Sequence, residues 1–308
     1  MLSYLAVIFA YVVWGATSPV MKYALTDIPP FVLLFIRFFG ASLILLPFTW
    51  KEITQIKSKI IPNLLIGSVG GIAVAVSLFF IGLTLAPSIN AGVIGSLGPL
   101  LLYLMSLRIL HEKPHPEILR GMLVALAGIL VIILAPLVQS DLIHSESHAL
   151  GISSFLGNLA FVGATIFSVL LPIENKKISG SIKPLTLTVV QFGIASLCVF
   201  PFMIPELAHW SVKDMTPNAW VGVLYGIFFA SLGAFVALNF ALKKLHVQDT
   251  AIFHYVSPIV AVLVAYPLLD ERPDIFFVIG AVFVAVGICI AERHPHMHKI
   301  KKRMRGGR

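Results

Sequence analysis

The amino-acid sequence predicts an all-α integral membrane protein with ten transmembrane helices, arranged as two inverted repeats of five helices. Its composition, ten apolar stretches and an internal duplication support this prediction. The chain of 308 residues is 58% hydrophobic and 12% charged, with a mean hydropathy of +0.96. A soluble domain needs a polar exterior, whereas the exterior of a membrane protein faces lipid. The composition therefore excludes a soluble globular protein.

Ten stretches are long and apolar enough to cross a bilayer, which takes about 20 residues per helix. They are residues 3–24, 30–49, 61–84, 88–109, 117–137, 150–172, 184–205, 218–241, 249–269 and 274–291. No Lys or Arg precedes the first stretch, and it continues through Trp14 and Pro19. We therefore interpret it as a retained helix rather than a cleaved signal peptide. Little chain lies between the stretches, so we expect no separate soluble domain.

The distribution of basic residues predicts the orientation of the helices. If the N-terminus is cytoplasmic, the inside loops and the tail carry 18 Lys and Arg residues, and the outside loops carry 3. The positive-inside rule then places both termini in the cytoplasm. The compact size favours the cytoplasmic (inner) membrane of a bacterium. We expect the basic cytoplasmic tail, residues 293–308, to lie against anionic lipid and not to bind nucleic acid.

The second half of the chain repeats the first. One constant shift, which moves Pro99 onto Pro258, aligns the sequence with itself from about residue 67 to residue 128, and we name this shift the repeat offset. The matched residues are Pro99 with Pro258, Glu112-Lys113-Pro114 with Glu271-Arg272-Pro273, Gly121 with Gly280, Gly128 with Gly287, and a ladder of Gly67, Gly71 and Ala75 with Gly226, Ala230 and Ala234. We predict a first repeat at residues 1–137 and a second at residues 149–292.

Each predicted repeat holds five crossings, which is an odd number, so the second repeat must be inverted relative to the first. Two similar halves of opposite orientation can exchange conformations, and a central site then faces one side of the membrane and next the other. This symmetry favours alternating access. A symmetric scaffold or pore is the alternative interpretation.

These features resemble the drug/metabolite transporter superfamily, in particular its EamA-type members with ten helices. The residues that carry the resemblance are Trp14-Gly15, Arg37, Pro99, Glu112, Gly121 and Gly128 in the first repeat and Pro258, Glu271, Gly280 and Gly287 in the second. The second repeat departs from the first with Gln191 in place of Arg37 and Val162 in place of Trp14. The resemblance implies an exporter or exchanger of amino acids, nucleotide-like metabolites, amines or drugs, and it leaves the substrate open.

Arg37 is the one basic residue deep in an apolar stretch. It lies eight residues after Pro29, roughly 12 Å along the helix at about 1.5 Å per residue. A charge at that depth costs about 2.5 kcal/mol or more and must face protein or water. Two interpretations stay open. Arg37 is either the counter-ion of a substrate carboxylate or phosphate, or a structural residue that ties helix-end carbonyls together.

Pro99 and Pro258 lie near the middle of the fourth and ninth stretches, and we predict a hinge or kink at each. A proline inside a helix removes a backbone donor and clashes with the preceding turn. The freed carbonyls could meet a ligand or let the helix bend during transport. A kink that serves only packing is the alternative.

Other polar and aromatic residues of the spans are candidates for lining a substrate cavity. They are Tyr11, Trp14, Ser18, Asn90, Tyr103, Asn158, Gln191, Asn239, His254 and Tyr255. The alternative for each is a hydrogen bond between helices. Trp14 and Tyr255 could stack on a flat substrate. His254 could titrate near neutral pH, although a histidine held by a hydrogen bond is the simpler interpretation, and all 14 acidic residues lie in loops or near helix ends.

The sequence contains no nucleotide-binding loop, HExxH motif or nucleophile–base pair, so we expect no enzyme activity, no cofactor and no metal. The two cysteines, Cys198 and Cys289, are interpreted as buried apolar residues. We predict a secondary transporter of a small metabolite, such as an amino acid, a nucleotide-like metabolite or an amphipathic drug. A flippase for lipids or lipid precursors is the alternative, followed by a membrane enzyme or sensor. The expected partners are a small-molecule substrate and the lipid bilayer, and a homodimer is compatible with the sequence.

Overall fold

The computed structural model describes residues 2–110, 116–143, 148–245 and 252–305, and in these ranges the chain is built from helices. Eight helices are long and apolar enough to cross a membrane, and two shorter apolar helices, Phe253–Leu269 and Ile275–Ala291, complete a set of ten. This confirms the predicted all-α membrane fold. The helices are α1 (Leu2–Ala24), α2 (Pro30–Ile53), α3 (Ser58–Leu85), α4 (Ser88–Gly95), α5 (Gly98–Leu110), α6 (Pro116–Ile143), α7 (His148–Ser168), α8 (Leu170–Ile178), α9 (Pro184–Leu207), α10 (Pro217–Leu242), α11 (Val256–Leu269) and α12 (Ile275–Arg305).

Prolines mark where several of these helices begin. Pro30, Pro184 and Pro217 are the first residues of α2, α9 and α10. Backbone N–H groups in the first turn of a helix have no acceptor within the helix, so the N–H that proline lacks is not missed there. The fixed φ angle of proline is also close to that of a helix. The side chain of Thr216 also caps α10, because its hydroxyl accepts a hydrogen bond from the Ala219 N–H at 3.4 Å.

The chain divides into two compact units. The first consists of Met1–Pro99 and Leu156–Arg272, and the second of Leu100–Phe155 and Pro273–Arg308. Within the first unit, α2 packs along α9, α1 packs against α10 and α11, and α3 packs against α8 and α9. Each unit therefore takes helices from both sequence repeats.

Within the second unit, α6 and α12 approach closely through glycines. A Cβ atom on Gly121 would lie 2.4 Å from the carbonyl oxygen of Gly287, and one on Gly128 would lie 2.5 Å from that of Gly280. The repeat matches Gly121 with Gly280 and Gly128 with Gly287. Gly121 thus contacts the equivalent of Gly128, and Gly128 contacts the equivalent of Gly121, as a two-fold relation between inverted repeats requires.

Segments of π-helix, in which backbone bonds span five residues, also follow the repeat. They cover Ile66–Val74 in α3 and Tyr225–Gly233 in α10, and the repeat offset relates them at both ends. The first two residues of each small-residue ladder lie in these segments, and the third, Ala75 or Ala234, follows directly. The segment in α3 packs very closely against α8, since a Cβ atom on Gly71 would lie 2.7 Å from the backbone nitrogen of Leu171.

The structure interrupts the fourth and ninth spans just before their prolines. Helix α4 ends at Gly95 and α5 begins at Gly98, so Pro99 lies in the first turn of α5. Pro258 is the third residue of α11 and follows a 3₁₀ turn, Ile252–Tyr255. Pro99 is therefore not in mid-helix, and a proline in this first turn replaces an N–H without a helical partner, whereas Pro258 follows helical backbone directly. The hinge role of both prolines stays a prediction.

Two spans differ in length from the predicted stretches. The sixth span breaks between α7 and α8 and continues to Ile178, beyond the predicted end at residue 172. The last helix continues to Arg305, so most of the predicted basic tail is helical. The Glu112-Lys113-Pro114 motif and residues 144–147, between the two predicted repeats, lie outside the described residues.

The close approach of α6 and α12 makes a stability test possible. We expect Gly121→Ala to lower the free energy of unfolding by about 1–3 kcal/mol, because the new methyl group meets backbone atoms that cannot move away. Alanine favours a helix over glycine by up to about 1 kcal/mol, so a loss of stability can only come from the contact. Thermal unfolding in detergent, followed by tryptophan fluorescence, measures the effect.

Gly180→Ala is the matched control, since a Cβ atom on Gly180 meets nothing within 4 Å. We expect its unfolding midpoint to equal that of the wild-type protein. A Gly121→Ala midpoint as high as that of the control would contradict the close packing.

Candidate functional site

Arg37 of α2 is buried, with 3% of its surface exposed. Its Nε–H donates a hydrogen bond to Ser231 Oγ at 2.7 Å, and Nη2–H donates to the carbonyl oxygen of Ala230 at 3.1 Å. Its guanidinium carbon also lies 5.4 Å from the ring centre of Phe38. These contacts are with neutral groups, and among the described residues no carboxylate forms an ion pair with Arg37.

The π-helical segment of α10 supplies the carbonyl that Arg37 binds. The N–H of Ala234 bonds to the carbonyl of Phe229, five residues back, instead of that of Ala230, four residues back. Ala230 can therefore accept side-chain donors, and Trp14 Nε1–H of α1 also binds its carbonyl at 3.1 Å. The structural role predicted for Arg37 is thus present, but the carbonyl lies within a span rather than at a helix end.

Tyr11 and His254 extend this group of residues. The ring centres of Tyr11 and Trp14 are 5.5 Å apart, and those of Tyr11 and His254 are 4.7 Å apart. Phe235 packs edge-on against Trp14 at 5.1 Å. We name Arg37, Trp14, Tyr11 and His254 the Arg37–His254 cluster. It joins a buried cation, an aromatic wall and an imidazole, which are groups that can bind an anionic solute with a flat apolar part.

Gln191 and Asn239 belong to a second, neutral cluster. Gln191 Nε2–H donates to Asn175 Oδ1 at 2.7 Å, and Asn175 Nδ2–H donates to Asn239 Oδ1 at 2.8 Å. Asn239 Nδ2–H in turn donates to Thr188 Oγ1 at 3.0 Å. All four side chains are buried. The amides are therefore satisfied by one another and join α8, α9 and α10.

Arg37 and Gln191 occupy equivalent places in the two repeats. A Cβ atom on Gly226 would lie 3.4 Å from Arg37 Cδ, and one on Gly67 would lie 3.2 Å from Gln191 Nε2. The repeat offset relates these two glycines. The first repeat therefore places a charge where the second places a neutral amide.

The remaining candidates lie elsewhere. Asn90 Nδ2–H donates to Asn158 Oδ1 at 2.9 Å, and both side chains are buried. The Ser18 hydroxyl bonds to its own helix at the Gly15 carbonyl. Tyr255 is half-buried beside His254 in the 3₁₀ turn, and Tyr103 lies on α5 in the second unit.

Sequence analysis missed Asn175 and Thr188 of the neutral cluster, and Ser231 and Phe235, which contact the Arg37–His254 cluster. Ser231 was not singled out next to the small-residue ladder of α10. Phe235 gave no signal among the many apolar residues. Asn175 lies beyond the predicted end of the sixth span, and its polarity in a helix that continues the span was the signal that could have identified it.

Glu271, which sequence analysis identified only through the repeat and the family resemblance, joins three chain segments. Its carboxylate accepts hydrogen bonds from the backbone N–H groups of Ser88 at 3.0 Å and Ile89 at 3.2 Å, and from the Ser88 hydroxyl at 2.7 Å. Lys22 Nζ of α1 lies 3.0 Å from the same carboxylate. The negative charge therefore caps the N-terminus of α4 and ties it to the end of α1.

Lys22 has an equivalent in the second repeat. Its Nζ donates to the Ala86 carbonyl at 2.6 Å, while Lys176 Nζ donates to the Leu245 carbonyl at 2.8 Å. Ala86 and Leu245 are again related by the repeat offset. In each repeat, a lysine therefore donates a hydrogen bond to a backbone carbonyl at the end of the third span.

Ten apolar spans in two inverted repeats, with polar groups buried between helices, define a membrane transporter. The profile of the EamA-like transporter family matches residues 1–134 and 155–292. The chain belongs to this family.

Several relatives share most of the chain's length. The "Uncharacterized transporter YetK" of Bacillus subtilis is 26% identical over 291 residues, covering 94% of this chain and 86% of that protein. An "S-adenosylmethionine uptake transporter" of Rickettsia conorii is 27% identical and covers 88% and 85%. A "Probable amino-acid metabolite efflux pump" of Escherichia coli is 26% identical and covers 91% of both chains. A solved crystal structure with 18% identity covers 94% of this chain and 96% of its own, with a TM-score of 0.62, and so shares the fold.

The contacts of Glu271 predict a graded loss of stability. We expect Glu271→Ala to lower the free energy of unfolding by about 1–3 kcal/mol, because two backbone donors of α4 and Lys22 lose their acceptor. Glu271→Gln keeps an acceptor oxygen without the charge, and we expect a smaller loss. Thermal unfolding in detergent ranks the two variants.

Arg272→Gln serves as the control, because the ion pair of Arg272 with Asp270 is exposed and contributes little. Equal unfolding midpoints for Glu271→Ala and this control would contradict the capping role.

Proposed function

We propose that the chain is a secondary transporter that moves a small anionic or zwitterionic metabolite by alternating access between its two repeats. The α6–α12 contact and the matched π-helical segments support the exchange of conformations, because equivalent residues of the two repeats make equivalent contacts. The class of substrate follows from one observation, the buried charge of Arg37.

A buried cation with neutral partners favours an anionic ligand. The Ser231 hydroxyl and the Ala230 carbonyl stabilise the guanidinium only partly, since neither carries a full negative charge. An anion about 4 Å away contributes roughly 4 kcal/mol of Coulomb attraction at an effective dielectric constant near 20. A substrate carboxylate or phosphate is therefore the ligand that best completes this environment.

The aromatic wall supports a substrate with a planar or apolar part. Trp14 is half-buried and shares the Ala230 carbonyl with Arg37, so it is placed to meet such a part. Aromatic rings add about 0.5–1.5 kcal/mol beyond simple burial when they pack against another ring. S-adenosylmethionine, for which one relative is named, combines a carboxylate with a planar base. Amino acids, nucleotide-like metabolites and amphipathic drugs with an acidic group fit the same description.

The proposed location is the cytoplasmic (inner) membrane, with both termini in the cytoplasm. The excess of basic residues on one set of loops supports this orientation. We expect Lys213→Cys, in a variant with Cys198 and Cys289 replaced by Ser, to react with an impermeant maleimide in intact cells. Lys57→Cys, on the opposite side and equally exposed, should react only after permeabilisation. The reverse pattern would invert the topology.

Flux into proteoliposomes tests the transport function. The panel holds amino acids, nucleotide-like metabolites and aromatic amines, each acid being paired with its neutral amide. We expect saturable flux of a carboxylate and roughly 100-fold slower flux in Arg37→Gln at low substrate concentration, since loss of a buried charge partner costs about 3 kcal/mol or more. The variant introduces the residue type that Gln191 supplies at the equivalent position of the second repeat.

Arg272→Gln makes the same chemical change at an exposed position and should transport at the wild-type rate. Flux that rises linearly with concentration, or equal flux of acid and amide in both the wild-type protein and the Arg37→Gln variant, would refute the anionic carrier. If no solute of the panel is transported and fluorescent lipids move between the two leaflets, the protein is a flippase instead.

A further inference from the structure

The interruptions of the fourth and ninth spans face each other. Gly95, at the end of α4, and His254, in the 3₁₀ turn before α11, are equivalent positions of the repeat. A Cβ atom on Gly95 would lie 3.7 Å from His254 Nε2, and one on Gly98 would lie 3.4 Å from His254 Cε1. Among the described residues, His254 supplies the only atoms within 4 Å of these two positions. The imidazole thus occupies the space beside a glycine-lined helix break.

The imidazole of His254 has an unusual set of partners. Its ring packs against Tyr11 at 4.7 Å, and it forms no hydrogen bond with the residues that the structure describes. The His254 side chain is half-buried. The expectation of a histidine held by a hydrogen bond is therefore wrong. Nothing in the described structure fixes its tautomer or its protonation state.

Few titratable groups surround His254. Helix α1 presents Tyr11, whose phenol is neutral at physiological pH. Residues 88–99, which form α4 and the break, include no titratable side chain, and neither does the part of α11 that precedes Tyr266. Arg37 belongs to the same cluster, because it shares the Ala230 carbonyl with Trp14, whose ring packs against Tyr11. Among the described residues, His254 is therefore the titratable side chain that faces this break beside Tyr11.

The groups around His254 can stabilise its protonated imidazole. The Tyr11 ring offers its face to a cation. The carbonyl groups at the C-terminus of α4, next to Gly95, carry partial negative charge that favours a cation, and the N-terminus of α5 at Gly98 opposes it. An anionic substrate bound by Arg37 favours the protonated ring, because it adds a negative charge to the cluster that contains His254.

We propose that His254 is the proton-binding site of this transporter and that its proton moves together with the anionic substrate. The proposal rests on the function proposed above. The proton adds to an imidazole nitrogen that no described residue engages, and it leaves to water when the site opens on the other side. Binding linkage is reciprocal, so a bound anion strengthens proton binding and a bound proton strengthens anion binding to the same extent.

The experiment measures carboxylate flux in proteoliposomes at pH values from 5.5 to 8, together with the internal pH reported by a trapped dye. In the wild-type protein we expect the KM to fall as the pH falls, by up to about tenfold per pH unit above the titration midpoint of His254. Substrate entry should also acidify the vesicle lumen. In His254→Asn, we expect the KM to be independent of pH and the acidification to disappear.

His209→Asn is the matched control, because His209 is exposed just beyond the end of α9 and its replacement should keep the wild-type profile. If His254→Asn does not fold, His254→Gln and the wild-type dye signal decide the outcome. Saturable wild-type flux with a constant KM and no proton movement would overturn the proton site and leave the anion carrier intact. Absence of wild-type flux would refute both proposals.

Discussion

The backbone carbonyl of Ala230 is the acceptor on which the site depends. In a bilayer, each backbone polar group must find a partner inside the protein. The π-helical segment of α10 releases this carbonyl from its usual N–H donor, and side chains of α1 and α2 satisfy it. One change of helical register therefore accounts for the burial of Arg37, the position of Trp14 and the contact among three helices.

Carboxylates stabilise the helix ends in the same way, by binding polar groups inside the protein. Glu206 of α9 accepts hydrogen bonds from the Phe31 and Val32 N–H groups at the start of α2, each at 2.9 Å. Glu52 of α2 binds the side chains of Lys183 and Thr186 at the start of α9. The two contacts are reciprocal between the repeats. Each of these two carboxylates therefore contacts the N-terminus of a neighbouring helix, where the helix dipole favours a negative charge.

Functional differences arise where the two copies differ. The close glycine contacts, the π-helical segments and the lysines at the ends of the third spans are common to both repeats. Arg37 has Gln191 as its equivalent, and His254 has Gly95. The shared contacts fit the symmetric exchange of conformations proposed above, whereas the two unmatched residues place a cation and an imidazole in a single cluster within the first unit.

The sequence alone established the class of protein, the ten spans and the repeat, because apolar length and a constant offset between matched residues are properties of the linear chain. It also indicated that Arg37 had to be buried in protein. Only the tertiary structure showed that Ala230 accepts its hydrogen bond, that Asn175 completes the neutral cluster and that His254 has no hydrogen-bond partner among the described residues. Those facts depend on helical register and on distances between segments that are far apart in the chain, such as α2 and α10, and neither composition nor periodicity encodes such distances directly.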